Sequence, residues 1–185
     1  YNNYLWICSH NNGVTCYDTT TKATRKLNKS TPIVQDACIR DIIQADDTTF
    51  VMASGTSLAL IKFENKDYLK APFKTIDLIK NDSYYEPIIK NRITRIYLDK
   101  QNQVLWVGTF GRGLLKLNLL GDNVNRIQLD NDIRSLNGIA EDSNGFIWLV
   151  TDNKGIYKSQ TKNLSPNIQF VPCLLYTSDA ADERS

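Results

Sequence analysis

The apolar residues of this chain recur in short runs that are separated by tight turns. The clearest case is residues 105–118, LWVGTFGRGLLKLN, where a run with an aromatic residue near its start meets a glycine turn and then a second apolar run. The same arrangement occurs at 5–18 and 147–159, and in a weaker form at 50–63. Two short apolar runs around a glycine turn are typical of paired antiparallel strands. The pattern therefore predicts four related hairpins.

The aromatic residues of these hairpins give the repeat its period. Trp6, Phe50, Trp106 and Trp148 are interpreted as equivalent, with spacings of 44, 56 and 42 residues. Short strands at a period of about 40 to 45 residues are typical of propeller blades. The longer second interval is explained by a connector at 80–92. We therefore predict an all-β fold, a β-propeller with about four four-stranded blades of an incomplete ring.

A further predicted strand precedes the aromatic strand in three of the copies. It is followed by an aspartate, Asp46, Asp99 or Asp142, in a polar turn. An aspartate side chain can accept hydrogen bonds from the amides of its own loop. Because the aspartate recurs at the same turn, we predict this capping role in preference to a catalytic carboxylate pair.

The repeat divides the chain into four blades and a tail. The predicted blades span about residues 1–34, 35–92, 93–134 and 135–172, and the first lacks its innermost strand. Residues 173–185, CLLYTSDAADERS, resemble a translated sequencing adapter and are set aside as a non-native tail. We therefore expect the chain to be a fragment of a longer protein.

The third and fourth copies resemble the two-component regulator propeller repeat, whose pattern is roughly I-x-x-I-x-x-D-x-x-G-x-I/L-W-I/V-G-T-x-x-x-G-L. Residues 105–109, LWVGT, followed by Gly113 and Leu114, fit this pattern closely. Residues 139–151 differ mainly in having Val150 where glycine is usual. The resemblance covers roughly residues 1–172.

This resemblance implies a role in ligand sensing. Such repeats are typical of the extracytoplasmic sensor region of hybrid histidine kinases of the type found in Bacteroidetes, where an immunoglobulin-like domain, one transmembrane helix and the kinase parts follow. Many of these sensors respond to oligosaccharides. The resemblance thus implies a periplasmic location, an oligosaccharide ligand and a homodimer in the full protein. It implies no cofactor and no catalysis by this chain itself.

Two alternatives remain open at this point. The chain is alternatively part of a carbohydrate-active enzyme, a lyase or a glycosidase, whose catalytic residues lie in other blades. It is alternatively a protein-interaction propeller of another signalling protein. The sequence that follows Pro172 in the parent gene would distinguish these readings.

Composition limits the function classes. The chain has 22 Lys+Arg and 20 Asp+Glu, or 21 and 17 without the tail, and the basic residues are spread along it rather than clustered as nucleic-acid binding requires. It has one histidine and no C-x-x-C pair, so we find no catalytic triad and no metal-binding set. Cys8, Cys16 and Cys38 are expected to be free thiols.

The candidate ligand-binding residues lie on the loops of one face. In a propeller, the turn between the second and third strands and the connector into the next blade reach the same face, and loops on a rigid scaffold usually carry the binding residues. Aromatic rings there could stack on sugars, and polar side chains could bind hydroxyls, carboxylates or sulfates. The candidates are Tyr84, Tyr85, Phe110, Arg112, Arg134, Asn153 and Lys154.

Overall fold

The computed structural model describes most of the chain as β-strands and turns. It describes residues 3–9, 13–27, 38–55, 57–79, 92–111, 113–119, 124–127, 129, 133, 135–162 and 168–173. These residues form four antiparallel sheets that share no strand. None of them belongs to a helix that could cross a membrane. The predicted all-β propeller, open rather than closed into a ring, is confirmed.

Each sheet is one blade with its strands in chain order from the inside outwards. The first blade contains β1 (Tyr4–Ser9), β2 (Gly13–Asp18) and β3 (Thr24–Leu27). The second contains β4 (Ile39–Gln44), β5 (Thr49–Ser54), β6 (Leu58–Phe63) and β7 (Phe73–Asp77). The third contains β8 (Ile93–Asp99), β9 (Val104–Thr109), β10 (Leu114–Asn118) and β11 (Val124–Ile127). The fourth contains β12 (Leu136–Glu141), β13 (Phe146–Thr151), β14 (Ile156–Lys162) and β15 (Phe170–Pro172).

The inner strands β4, β8 and β12 lie side by side and bring successive blades together. Because neighbouring blades approach closely there, the residue of each blade's second strand that faces the inner strand of the next blade is small. A Cβ atom on Gly108 would lie 3.0 Å from the Cβ atom of Leu136 in the following blade. Ala53 holds the corresponding place in the second blade and is fully buried. The glycine of the LWVGT motif thus permits close packing of blades.

The strand registers correct one equivalence made from the sequence. β5 pairs with β4 in the register in which β9 pairs with β8, and this alignment makes Val51 the counterpart of Trp106. Phe50 faces the preceding blade instead, with its ring centroid 4.6 Å from that of Trp6. The assignment of Phe50 was wrong by one residue because both faces of β5 are buried, so hydrophobicity alone does not set its register.

One apolar core lies between each pair of neighbouring blades. Trp6 lies in the first core and Trp106 in the third, so both tryptophans pack between blades. Leu105 and Val107 point the other way, into the second core. Both faces of β9 are therefore buried. Trp148 points away from the third core, and its ring lies under the ammonium group of Lys158 at 4.8 Å.

The loop between β6 and β7 adds a tyrosine to the first core. Tyr68 is only 1% exposed and its ring contacts those of Trp6 and Phe50. Arg25 of β3 donates hydrogen bonds to the carbonyl oxygens of Tyr68 at 3.0 Å and Ala71 at 2.6 Å. This loop ties the first blade to the second. It has no counterpart among the described residues of the other blades, so the repeat could not reveal it.

The cysteines are free thiols, as predicted. Cys8 lies opposite Val14 and Cys16 lies opposite Trp6 in the first hairpin, so the two sulfur atoms are not in a paired position. Burial raises the pKa of both Cys8 and Cys16 to about 11. Both side chains are therefore protonated at neutral pH.

Candidate functional site

Each of the inner strands β4, β8 and β12 is interrupted by a β-bulge at its second residue. In β4 the register shifts between Ile39 and Asp41, so Arg40 has no partner on β5. The same shift leaves Thr94 unpaired in β8 and Asn137 unpaired in β12. A bulge of this kind re-aims the side chain of its extra residue.

The spacing of the apolar residues explains the bulge. Ile93 and Ile96 are three positions apart, which would place them on opposite faces of a regular strand. Both lie in the core between the second and third blades, because the extra residue restores them to one face. Leu136 and Ile139 show the same relation in the fourth blade. The I-x-x-I pattern is thus the sequence signal of the bulge.

The three bulges open onto one cavity of about 530 Å³ at the start of the inner strands. Its lining includes the bulge residues Arg40, Thr94 and Asn137, which come from three successive blades. Arg95 and Phe110 also line it. This volume lies in the range of pockets that bind small molecules.

Positive charge dominates the cavity. Arg40, Arg92 and Arg95 line it, and none of the described lining residues is acidic. Arg95 is held across the blade boundary, since its Nε donates to the carbonyl oxygen of Asn137 at 3.0 Å and its Nη1 to that of Thr94 at 3.0 Å. The cavity therefore presents the guanidinium groups of two inner-strand residues, Arg40 and Arg95, and that of Arg92, which directly precedes β8.

Asp41 follows Arg40 in β4 but does not line the cavity. Its carboxylate accepts hydrogen bonds from the backbone amides of Ile42 at 3.0 Å and Ile96 at 3.4 Å. Burial raises the pKa of Asp41, against the opposing effects of the Ile96 amide and the charge of Arg95. The role of Asp41 is to join β4 to β8, and its oxygens are engaged there.

Two buried polar atoms of the cavity residues have no hydrogen-bond partner. They are Arg40 Nε and Thr94 Oγ1, and within the described residues they are the two buried side-chain nitrogen or oxygen atoms in this condition. Most buried polar atoms in native proteins are paired, so an exception requires an explanation. Both atoms belong to bulge residues and both residues line the same cavity.

The loops of the predicted ligand face do come together. The amide of Phe110 donates to the carbonyl oxygen of Arg92 at 2.9 Å, and the amide of Asp152 donates to that of Ser135 at 3.2 Å. These bonds join the turns after the second strands to the connectors into the inner strands. Phe110 lines the cavity and its side chain is 56% exposed.

The other predicted site residues do not line the cavity in the described part of the chain. Asn153 and Lys154 lie exposed in the β13–β14 turn, where the amide of Lys154 donates to Thr151 Oγ1 at 2.9 Å. Tyr84, Tyr85, Arg112 and Arg134 lie outside the described residues.

The inner-strand residues of the cavity were not among the predicted site residues, because binding residues were expected only on loops. Arg40, Thr94, Arg95 and Asn137 all belong to strands. The available signal was the I-x-x-I spacing, which requires a bulge when both isoleucines face one core.

The opposite face carries the aspartate turns, and their predicted capping role is confirmed. Asp142 Oδ1 accepts hydrogen bonds from the amides of Asn144 at 2.9 Å and Phe146 at 3.0 Å. Its Oδ2 accepts a hydrogen bond from Trp148 Nε1 at 2.9 Å. The bond from Trp148 is the main reason that the pKa of Asp142 is lowered to about 2, and the bond from Phe146 is the next.

Asp46 and Asp99 cap their turns in the same way. Asp46 Oδ1 accepts hydrogen bonds from the amides of Thr48 and Thr49, each at 2.8 Å. Asp99 accepts one from the amide of Asn102 at 3.0 Å and one from the Asn102 side chain at 2.7 Å. The recurring aspartate is thus a structural residue of each blade.

A second cavity, of about 430 Å³, lies between the turns of the third and fourth blades. Asp99, Glu141 and Asp142 line it. Glu141 accepts a hydrogen bond from the hydroxyl of Tyr97 at 2.9 Å, so all three carboxylates have partners. Among the described residues, no group of acidic, histidine and cysteine side chains is arranged to hold a metal ion.

The sequence of the third blade matches a known family. Residues 87–111 fit the profile of the two component regulator propeller. This span holds the bulged strand β8, its aspartate turn and the LWVGT strand β9. The predicted resemblance is therefore confirmed. No curated protein is significantly similar to the chain in sequence.

Solved structures share the fold. The extracellular domain assigned to the hybrid two component system BT4673 of B. thetaiotaomicron superposes with a TM-score of 0.66 at 20% identity, over 92% of this chain and 21% of that one. The corresponding domain of BT3049 gives 0.64 at 19% identity, over 92% and 20%. The Myceliophthora thermophila Cps50 (Swd1) β-propeller domain gives 0.62 at 12% identity, over 91% and 53%. The chain spans about a fifth of the two Bacteroides domains.

Proposed function

We propose that this chain is part of the extracytoplasmic, periplasmic sensor propeller of a hybrid two-component histidine kinase, and that the cavity at the bulged ends of its inner strands binds an oligosaccharide. The cavity is the observation that carries the proposal. Its lining comes from three successive blades, so a ligand seated there would contact Arg40, Thr94 and Asn137 together. The propeller repeat of the third blade and the fold shared with the two Bacteroides domains support it.

Signalling in this proposal follows from contact with several blades. A ligand shifts an equilibrium between two conformations only if it binds one of them more tightly. A sugar that touches inner strands of three blades would favour the blade arrangement in which all its contacts form. The parent kinase would respond to that arrangement.

The carboxylates of the aspartate turns do not resemble the general acid of a glycosidase. Glycosidases need a carboxylic acid whose pKa is raised and a second carboxylate on the other side of the scissile bond. Asp142 has the opposite property, because Trp148 and its turn amides hold its pKa at about 2. Asp99 is likewise engaged by Asn102.

Binding of oligosaccharides by the 185-residue chain tests the proposal. Isothermal titration with a set of neutral and acidic oligosaccharides should identify at least one that binds. Replacing Phe110 with alanine should then weaken binding by about two- to tenfold, because an exposed ring next to the cavity is lost as a stacking surface. Ile76→Ala is the matched control, since Ile76 is similarly exposed on the outer strand β7.

The outcomes are distinct. Weaker binding in Phe110→Ala with unchanged binding in Ile76→Ala supports the cavity as the ligand site. Failure of every oligosaccharide to bind would refute the proposal. Equal binding by Phe110→Ala and the unsubstituted chain would place the ligand elsewhere.

A further inference from the structure

The atoms that lack partners define what the cavity can recognise. Arg40 Nε and Thr94 Oγ1 are buried and unpaired, and each belongs to the residue that a bulge turns out of its ladder. A guanidinium Nε has only a hydrogen to donate, and a hydroxyl can donate as well. Burying a donor without an acceptor is costly, so the site is incomplete as a purely structural feature.

The positive charge of the cavity indicates that the missing hydrogen-bond acceptor is an anion. Arg40, Arg92 and Arg95 line the cavity without an acidic residue among the described lining residues. The adjacent Asp41 carboxylate is engaged by the amides of Ile42 and Ile96. The lining residues therefore carry three positive charges and no negative one, and Asp41, whose carboxylate interacts electrostatically with Arg95, offsets at most one of them.

The hydrogen bonds of Arg95 hold the positive charge of its guanidinium group in place. Its Nε and Nη1 donate to backbone carbonyl oxygens of Asn137 and Thr94, which fixes the guanidinium between two inner strands. A fixed guanidinium loses little freedom when it meets an anion. Arginine pairs with carboxylates and sulfates through several N–H groups at once.

We propose that the cavity selects an oligosaccharide carrying an oxyanion, either the carboxylate of a hexuronic acid or a sulfate ester, and that Arg40 Nε and Thr94 Oγ1 donate hydrogen bonds to this group. This inference rests on the proposed function and names the ligand class for the same cavity. Phe110 contacts the sugar ring beside the anion. Arg92 and Arg95 add positive charge at the cavity wall.

Three trisaccharides test the inference on the 185-residue chain by isothermal titration. They are tri-galacturonate, which is carboxylated, a sulfated galactotriose and neutral galactotriose. We expect the neutral sugar to bind at least tenfold more weakly than one of the two acidic sugars. The comparison of the two acidic sugars decides between carboxylate and sulfate. Acidic-sugar binding should also weaken as salt is raised.

Two substitutions assign the contacts. Arg40→Met should weaken binding of the acidic sugar by about ten- to hundredfold, because a charge-assisted hydrogen bond is lost. Thr94→Val should weaken it by about two- to tenfold, because a neutral hydrogen bond is lost while the shape is kept. Lys74→Met is the control for loss of one positive charge, since Lys74 is exposed on the outer strand β7. Thermal melting of each variant verifies that it folds.

The results separate this inference from the proposed function. If galactotriose binds as tightly as the acidic sugars and Arg40→Met binds normally, the oxyanion inference is wrong and the oligosaccharide proposal stands. If no trisaccharide and no other oligosaccharide of the set binds, both are wrong. If Lys74→Met weakens binding as much as Arg40→Met, the effect is general electrostatics and the assigned contact is refuted.

Discussion

The bulges and the aspartate turns lie at opposite ends of the same inner strands and differ in how their polar groups are satisfied. At the turns, Asp46, Asp99 and Asp142 each accept hydrogen bonds from their own loops. At the bulges, Arg40 Nε and Thr94 Oγ1 are buried and accept or donate nothing. Both features recur once in each of the second, third and fourth blades.

Recurrence alone therefore does not distinguish structural residues from the proposed binding residues. At the turn the residue type repeats, because the aspartate side chain accepts hydrogen bonds from its own loop in each blade. At the bulge the backbone geometry repeats while the side chain changes from Arg40 to Thr94 to Asn137. A fixed geometry with varied side chains suits recognition, because specificity can change without loss of the fold.

The largest effect on stability is expected at an aspartate turn. Asp99 is 5% exposed and accepts two hydrogen bonds from Asn102. Asp99→Ala should lower the free energy of unfolding by about 1–3 kcal/mol, because it leaves these donors without their acceptor. The shift of the urea midpoint measures it. Gln101→Ala, at an exposed site in the same turn, should change the free energy by less than about 0.5 kcal/mol. Equal effects of the two substitutions would contradict the capping role.

A pH-dependent effect is expected at the turn of the fourth blade. The pKa of Asp142 is about 2, below its usual value, so folding favours the ionised carboxylate. Its contribution to stability is therefore present above the usual pKa of an aspartate and is lost as the pH falls towards about 2. Carboxyl NMR titration measures this pKa.

Two variants identify the cause of that shift. Trp148→Phe should raise the pKa of Asp142 towards its usual value, because the bond from Trp148 Nε1 has the largest effect. Lys158→Met should raise it less, since the Lys158 ammonium is 3.6 Å away and has the smallest effect. The reverse order of the two shifts, or an unshifted Asp142, would show that the turn is not held as described.

The smallest effect on stability is expected at a bulge. Arg40→Met keeps much of the side-chain volume and removes an Nε that has no partner. The free energy of unfolding should therefore change by less than about 0.5 kcal/mol, or rise slightly. Urea unfolding of Arg40→Met and of Asp99→Ala under the same conditions compares the two effects. A decrease of more than about 1 kcal/mol in the free energy of unfolding would mean that Arg40 stabilises the fold, which would contradict its proposed role in ligand binding.

The hairpins, the aromatic strands and the aspartate caps could be predicted from the sequence, because these depend on local patterns. An apolar run with an aromatic residue near its start, together with its turn residues, was sufficient for β9 and β13. The bounds of the outer strands of the fourth blade, where β14 extends to Lys162 and β15 runs from Phe170 to Pro172, have no such marker. Outer strands have exposed residues and carry a weaker pattern.

The cavity could not be predicted by the same reasoning. It is lined by Arg40, Thr94 and Asn137, which are about one blade apart in the sequence. Local sequence patterns do not indicate that these residues lie close together in the fold. Because both faces of β5 are buried, its register could not be inferred from hydrophobicity, and Phe50 was misassigned for this reason. Tyr68 fills the first core from a loop that has no counterpart in the described part of the other blades.

The most direct test of the account is the side-chain Nε–Hε resonance of Arg40 in the 185-residue chain, followed by nitrogen-15 NMR during titration with tri-galacturonate and with the sulfated galactotriose. If the cavity binds an acidic sugar through Arg40, one of these sugars shifts this resonance to saturation. The resonance of Arg25, whose guanidinium is bound to Tyr68 and Ala71, should stay in place. A bound sugar that leaves Arg40 unchanged and shifts the amides around Asp99 and Asp142 would contradict the account.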